Sequence, residues 1–260
     1  MITDILRSTR QHLHGLADLI LPRRCIVCEE KLAPDEKHLC RNCSSDIPQT
    51  RFWQLKHNRM SDKFNDSIQK WLEKQWDISG STTSQHERYA YAAALFFFND
   101  DANYKKIPYS IKYKGNIQGG RHFGILLGQK LASAQWFGDI DVIIPVPLHW
   151  RRRWTRGYNQ AEIIASGLSA ALETPVRTDI LKRHKYTKTQ IRLNIKEKAG
   201  NVDGAFSVTA GPHEGIRHIL LVDDVFTTGS TLLACFVALR KAFPPAVRIS
   251  IATLGFVGRY

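Results

Sequence analysis

Short apolar runs along this chain alternate with longer stretches in which apolar residues recur every three or four positions, the pattern of strands that hand over to helices. Residues 219–222 (ILLV) are a β-branched-leaning run that stops at two carboxylates, Asp223 and Asp224, and residues 231–243 (TLLACFVALRKAF) have helical apolar spacing. Residues 89–98 (YAYAAALFFF) read as a buried strand closed by the turn signal Asn99-Asp100-Asp101, with a helix-like run over 121–137. Residues 141–147 (DVIIPVP) give the next strand, followed by a helix over 161–172. Further strands are expected at 175–181 and at 247–254 (VRISIATL), with a long irregular segment over 182–204. This order predicts an α/β fold with a mainly parallel sheet and flanking helices.

The N-terminal third follows neither pattern. Ile2, Ile5, Leu6, Leu13, Leu16 and Ile20 mark one face of a helix that packs on a protein surface or lies on a membrane. Cys25, Cys28, Cys40 and Cys43 form two C-x2-C pairs, the spacing of a closed, structural four-thiolate zinc ribbon. With four cysteines available, His38 reads as a loop residue, and the fifth cysteine, Cys235, as a small buried hydrophobe. From 49 to 85 the chain is polar but carries Phe52, Trp53, Phe64, Trp71, Leu72 and Trp76 among lysines, suiting helical pieces that pack or aromatics that stack on single-stranded bases. The expected division is 1–48 for the N-terminal helix and ribbon, 49–85 for a helical connection and 86–260 for the α/β domain.

Composition narrows the function classes. Hydrophobic residues make up 43% of the 260 and charged residues 23%, as in folded soluble proteins. The net charge of +13 favours a nucleic-acid partner or a phosphate-handling site. No apolar run approaches the ~20 residues that span a bilayer, and Asp4, Arg7, Arg10 and Asp18 interrupt the start of the chain, so no stable membrane insertion and a cytoplasmic location are expected.

The junction after 222 suits a sugar phosphate. Thr227, Thr228, Gly229, Ser230 and Thr231 fall where a strand meets a helix N-terminus, so hydroxyls and free backbone N–H groups can surround a phosphate. Asp223 and Asp224, one step earlier, suit ribose hydroxyls as acceptors. The string ILLVDDVFTTGST resembles the 5-phosphoribosyl-1-pyrophosphate (PRPP) loop of type I phosphoribosyltransferases. Beyond the strand at 141–147, Arg151, Arg152, Arg153 and Arg156 are candidate pyrophosphate contacts or a basic surface loop, with Gly157 relieving the turn. Lys112, Lys114 and Gly115 form a second basic turn, a pyrophosphate contact or a solvated helix end.

DVIIPVPLHWRRRWTRGYNQ resembles the pyrophosphate-loop region of glutamine amidophosphoribosyltransferases and, more closely, the ComF/GntX family of competence and DNA-utilisation proteins. With the four cysteines, Q…RLN…GAF and LLVDDVFTTGST, that resemblance covers essentially the whole chain. It implies a type I phosphoribosyltransferase-like domain that binds PRPP with Mg²⁺, with Asp223, Asp224 and Arg153 as catalytic residues. Gln190, Arg192 and Asn194 would belong to a loop that closes over the ligand. The implied partners are single-stranded DNA and DNA-uptake helicase or translocation machinery. The reaction would displace pyrophosphate from ribose C1 and transfer the phosphoribosyl group to an acceptor that no motif identifies. The alternative is a non-catalytic module that senses PRPP or another nucleotide and engages DNA or DNA-uptake proteins.

Overall fold

The computed structural model describes residues 22–79 (the backbone alone from 76), 87–99, 101–184, 204–209 and 214–258. Its strands are β1 (Ala92–Phe98), β2 (Val142–Pro145), β3 (Leu181–Arg183), β4 (Phe206–Val208), β5 (His218–Phe226) and β6 (Arg248–Val257). Its helices are α1 (Arg41–Asp46), α2 (Arg59–Ser79), α3 (Lys106–Tyr113), α4 (Ile117–Ala132), α5 (Trp150–Arg156), α6 (Gln160–Leu172) and α7 (Ser230–Ala242). Strands β1, β6, β5 and β2 make one sheet in that order, and every pair is parallel.

Both faces of the sheet are covered, so its strands are continuously apolar. Ile219, Leu221, Ile249 and Ile251 pack with Phe64 of α2 and Phe236 of α7. The alternate residues Leu220, Val222, Ala252 and Leu254 pack with Phe123 of α4 and Ile164 of α6. Helices α4 and α6 approach backbone to backbone, since a Cβ on Gly124 would lie 2.3 Å from the Ile164 carbonyl oxygen and one on Gly167 2.2 Å from that of Arg121.

Three expectations are corrected. The strand over 175–181 reduces to one parallel bridge between Val176 and Ile143, and the chain then leaves to pair β3 with β4 in a separate antiparallel ribbon. The Arg177 N–H still donates to the Ile143 carbonyl at 2.9 Å, but the polar run Arg177-Thr178-Asp179 breaks the apolar pattern, and the Arg177 side chain pairs with the Asp179 carboxylate at 2.6 Å. The helix over 121–137 begins earlier, at Ile117, because Asn116 Oδ1 accepts from the Gly119 N–H at 2.8 Å; it ends at Ala132, before a short 3-10 turn over Gln135–Phe137. The segment after the second strand, read as a loop, contains helix α5.

The aromatics of 49–85 pack. Phe52, Trp53 and Phe64 are buried, and Phe64 meets Phe236 edge-on at 5.9 Å. Asn58 ties this segment to the sheet: its Nδ2 donates to the Ala92 carbonyl at 3.0 Å and its Oδ1 accepts from the N–H groups of Met60 and Ser61 at 3.0 Å. The cysteine-rich segment also joins the core, with Cys25, Val27, Leu32 and Cys40 packing in one cluster with Trp53, Tyr91, Phe123 and Leu127.

Candidate functional site

A cleft of about 1370 Å³ opens at the carboxyl ends of β2 and β5. Its first wall is the run from Asp223 to Thr231. Strand β5 keeps its pairing with β6 through Phe226, so the carboxylates sit inside the strand's last turns of pleat and not beyond them. Both Asp223 and Asp224 line the cleft; Asp224 is 4% exposed and Asp223 half-buried. Burial, then the neighbouring Asp224 carboxylate, pushes Asp223 up to about 7. Lys112 Nζ lies 2.9 Å from Asp224 Oδ2. Burial opposes charging Lys112, but the Asp224 carboxylate outweighs it and holds the ammonium above its ordinary range.

The loop after the acids is shaped by Gly229. Its φ of +80° is left-handed, and a Cβ there would lie 2.7 Å from Phe226 Cζ, so both conformation and space require glycine. Thr228 Oγ1 sits 2.8 Å from Ser230 Oγ and accepts from the Ser230 N–H at 3.4 Å, and Lys63 Nζ donates to the Thr227 carbonyl at 3.0 Å. Thr227 and Thr231 line the cleft at the start of α7, where unsatisfied amides and the helix dipole favour an anion.

Helix α5 sorts the arginines. His149 caps it, its Nδ1 accepting from the Arg151 N–H at 3.3 Å, and Gly157 at φ +79° ends it with its N–H on the Arg153 carbonyl at 2.8 Å. Arg152 and Arg156, four apart and so on one face, line the cleft. Arg151 and Arg153 do not: Arg151 stacks over Trp150 at 5.2 Å and Arg153 pairs with Glu162 at 2.9 Å. The residues after Gly157 lock this region. Tyr158 OH donates to the Ile111 carbonyl of α3 at 2.5 Å, Asn159 Nδ2 donates to the Val146 carbonyl at 3.0 Å, and Gln160 Oε1 accepts from Arg156 at 3.1 Å.

Sequence reasoning left part of the site unassigned. Lys112 and Lys114 both line the cleft, and so does Arg183 of β3, whose guanidinium is lowered by burial and lies 5.2 Å over the Phe206 ring. The zinc-ribbon segment contributes Arg24, Cys25, Ile26 and Glu29. Only the basic turn at 112–115 gave a signal; Arg183 and the ribbon residues reach the cleft through tertiary packing. Eight Lys and Arg side chains line it against three carboxylates, a balance that suits an anionic ligand. Gln190, Arg192 and Asn194, and the apolar face of 2–20, lie outside the described residues.

The four cysteine sulfurs lie within 4.8 Å of one another, and the Cys28 and Cys40 sulfurs are 3.7 Å apart. Zn–S bonds of about 2.3 Å in a tetrahedron require sulfurs about that far apart, so the donor set fits a structural zinc. Burial would raise the Cys25 thiol, but backbone N–H donors of Cys28, Cys40 and Val27 bring it down to about 7. His38 instead stacks on His122, with ring centroids 4.9 Å apart. Cys235 is wholly buried, as expected.

Residues 16–52 match the double zinc ribbon domain family; five cysteines in the chain supply one such four-thiolate site. Competence protein F of Haemophilus influenzae is 46% identical over 102 residues, 39% of this chain and 44% of that protein. The DNA utilization protein YhgH of Escherichia coli strain K12 is 36% identical over 109 residues, covering 42% and 47%, and competence protein ComFC of Bacillus subtilis is 34% identical over 92 residues, 35% of each. The chain spans less than half the length of these curated relatives. Among solved structures, orotate phosphoribosyltransferase from Aeropyrum pernix covers 71% of this chain and 81% of its own at 13% identity and a TM-score of 0.33. A likeness that loose carries no weight alone. What the structure shows by itself is a parallel sheet with helices on both faces and a loop of hydroxyls at the end of β5. Among the described residues, no helix is long and apolar enough to cross a membrane.

Proposed function

We propose that this chain is a ComF-type competence and DNA-utilisation protein, that its cleft binds PRPP and that it acts in the cytoplasm on imported single-stranded DNA, alongside DNA-uptake helicase or translocation machinery. One observation carries the ligand: an adjacent carboxylate pair and an open helix N-terminus line the same cationic cleft. The 5-phosphate is assigned to the 227–231 loop and the ribose hydroxyls to Asp223 and Asp224. Pyrophosphate is assigned to Arg152 and Arg156 in place of Arg153, whose guanidinium is held by Glu162.

The acid pair fits a hard, oxygen-seeking cation, because burial and mutual repulsion penalise two carboxylates there and a divalent ion relieves both. Bound with PRPP, Mg²⁺ would neutralise charge on the diphosphate. In the transfer reaction the ribose C1–O bond breaks, pyrophosphate leaves with the electron pair, and a nucleophile of the acceptor bonds to C1 as its proton passes to solvent. Arg152 and Arg156 act on the leaving group, where one well-placed donor is worth about 2.7–4 kcal/mol.

A second reading, a sensor without turnover, is favoured by the Lys112–Asp224 ion pair. A ligand that takes Asp224 must displace Lys112, which gives two states with no bond made or broken. Calorimetry with magnesium PRPP on the wild type and on the Asp223→Asn/Asp224→Asn double variant tests the shared premise, with affinity expected to fall by at least about 100-fold when two charge-assisted acceptors are lost. No heat from the wild type at millimolar ligand would remove both readings. Acceptor-dependent pyrophosphate release separates the enzyme from the sensor.

A further inference from the structure

The cleft is larger than the ~300–1,000 Å³ of an ordinary small-molecule pocket, and the sugar-phosphate end accounts for only one part of it. The remainder follows α3. This helix has eight residues, about 12 Å at 1.5 Å per residue, and joins two different environments. At its C-terminal end Lys112 meets Asp224, and Tyr113 lies under Arg156 with the guanidinium 4.9 Å from the ring centroid. At its N-terminal end Lys106 reaches the ribbon, donating to the Val27 carbonyl at 2.8 Å and to Glu29 at 3.3 Å. Tyr109, between those ends, and Tyr113 stand one turn apart with centroids 4.9 Å apart, 52% and 60% exposed and both lining the cleft.

We infer that this groove, from the zinc ribbon along α3 to the acid pair, is a subsite for a nucleotide, with the base on the Tyr109 ring and the phosphate among the Lys and Arg side chains that line the groove. The inference rests on reading the acid-pair end as a sugar-phosphate site, and makes the groove the place of the second ligand. Its cation–aromatic–cation order matches a ligand with both a flat π-face and a phosphate, the combination that single strands present to a basic groove with stacking aromatics. An acidic peptide supplies the charge and no ring to stack; an uncharged heterocycle supplies the ring and leaves the cleft's excess of cations over carboxylates unbalanced. Glu29, the one carboxylate at the ribbon end, is already neutralised by Lys106, so it does not repel the phosphate. The ribbon then has a role beyond stability, because Arg24 and Ile26 close the far end of the groove.

The chemistry is that of a nucleotide, free or at the end of a strand, and two probes distinguish the sources: thymidine 5′-monophosphate by calorimetry, and 5′-phosphorylated hexathymidylate by fluorescence anisotropy, each without PRPP. Both are measured on the full chain and on Tyr109→Ala, Tyr109→Trp and Trp154→Ala. The last removes the most exposed aromatic of α5, which does not line the cleft. Tyr109→Ala is expected to weaken the bound probe about tenfold, the worth of one stacked base, and Tyr109→Trp to retain it. Binding of the hexamer alone assigns the groove to a strand end; equal binding of the monophosphate assigns it to a free nucleotide. Unchanged binding in Tyr109→Ala, equal loss in Tyr109→Trp, or loss only in Trp154→Ala overturns the inference. If magnesium PRPP binds while Tyr109→Ala changes nothing, this inference fails alone; if PRPP does not bind the wild type, the reading it rests on fails first.

Discussion

The cleft has two walls made in different ways. From Asp223 to Thr231 the wall is one stretch of chain, and its shape comes largely from itself: Gly229 turns it, Thr228 bonds Ser230, and the Leu233 N–H returns to the Gly229 carbonyl at 2.8 Å. The other wall is assembled from the ribbon, α3 and α5, distant in sequence and joined by Lys106 on Val27, Tyr158 on Ile111 and Arg156 over Tyr113. A local wall survives the loss of remote contacts, whereas an assembled wall is only as stable as the packing between its pieces.

Removing zinc attacks the assembled wall and has the largest expected effect. Structural zinc contributes an apparent ~10–16 kcal/mol to folding its site. Because Cys25, Val27, Leu32 and Cys40 share a core with Phe123 and Leu127, the loss should reach the α/β domain, lowering its melting temperature by about 10 °C if a few kcal/mol of packing goes with the ribbon. Calorimetry with and without a strong chelator reads this directly. An unchanged main transition would show that the ribbon hangs on the domain without supporting it.

Gly229→Ala attacks the local wall. The left-handed backbone costs alanine about 1–2 kcal/mol, and the Phe226 ring must also move from a Cβ at 2.7 Å. Urea unfolding should show a loss of about that size, with weakened PRPP binding and little change at the ribbon. Wild-type stability and affinity would mean that the loop relaxes freely, and the contrast between the walls would lose its basis.

The smallest effect is a pH dependence at the acid pair. The folded pKa of Asp223, about 7, is raised above its ordinary value, so the folded state binds the extra proton between the two. Its contribution to stability is therefore complete at acid pH and is lost as pH rises from about 4 through 7. Asp223→Asn, which needs no ionisation, should be more stable than wild type at pH 8 and lose that advantage near pH 4. Affinity of the wild type for magnesium PRPP should rise over the same upper range as the carboxylate ionises. Parallel stability profiles for the two proteins would show that Asp223 is ionised throughout.

What was legible in the sequence divides along the same line. The strand runs at 89–98, 141–147, 219–222 and 247–254, the DD-TTGST turn into α7 and the paired cysteines are local signals, and each formed the structure its pattern implied. The arginine cluster was visible, but four basic residues within six positions look alike until a helix separates them, turning Arg152 and Arg156 to the cleft and Arg153 to Glu162. The run at 175–181 misled because an apolar stretch with a polar centre is equally a strand or a one-residue brush against a sheet edge.

By itself the sequence determined buried strand runs, a four-thiolate knot and an anion-ready loop, because each depends on neighbours within about twenty residues. Only the tertiary structure decided that the knot lines the same cleft as the loop, that Lys112 holds Asp224, and that α3 joins them. Those are contacts between remote segments, and their free energy depends on how whole elements pack, which no local pattern of residues encodes.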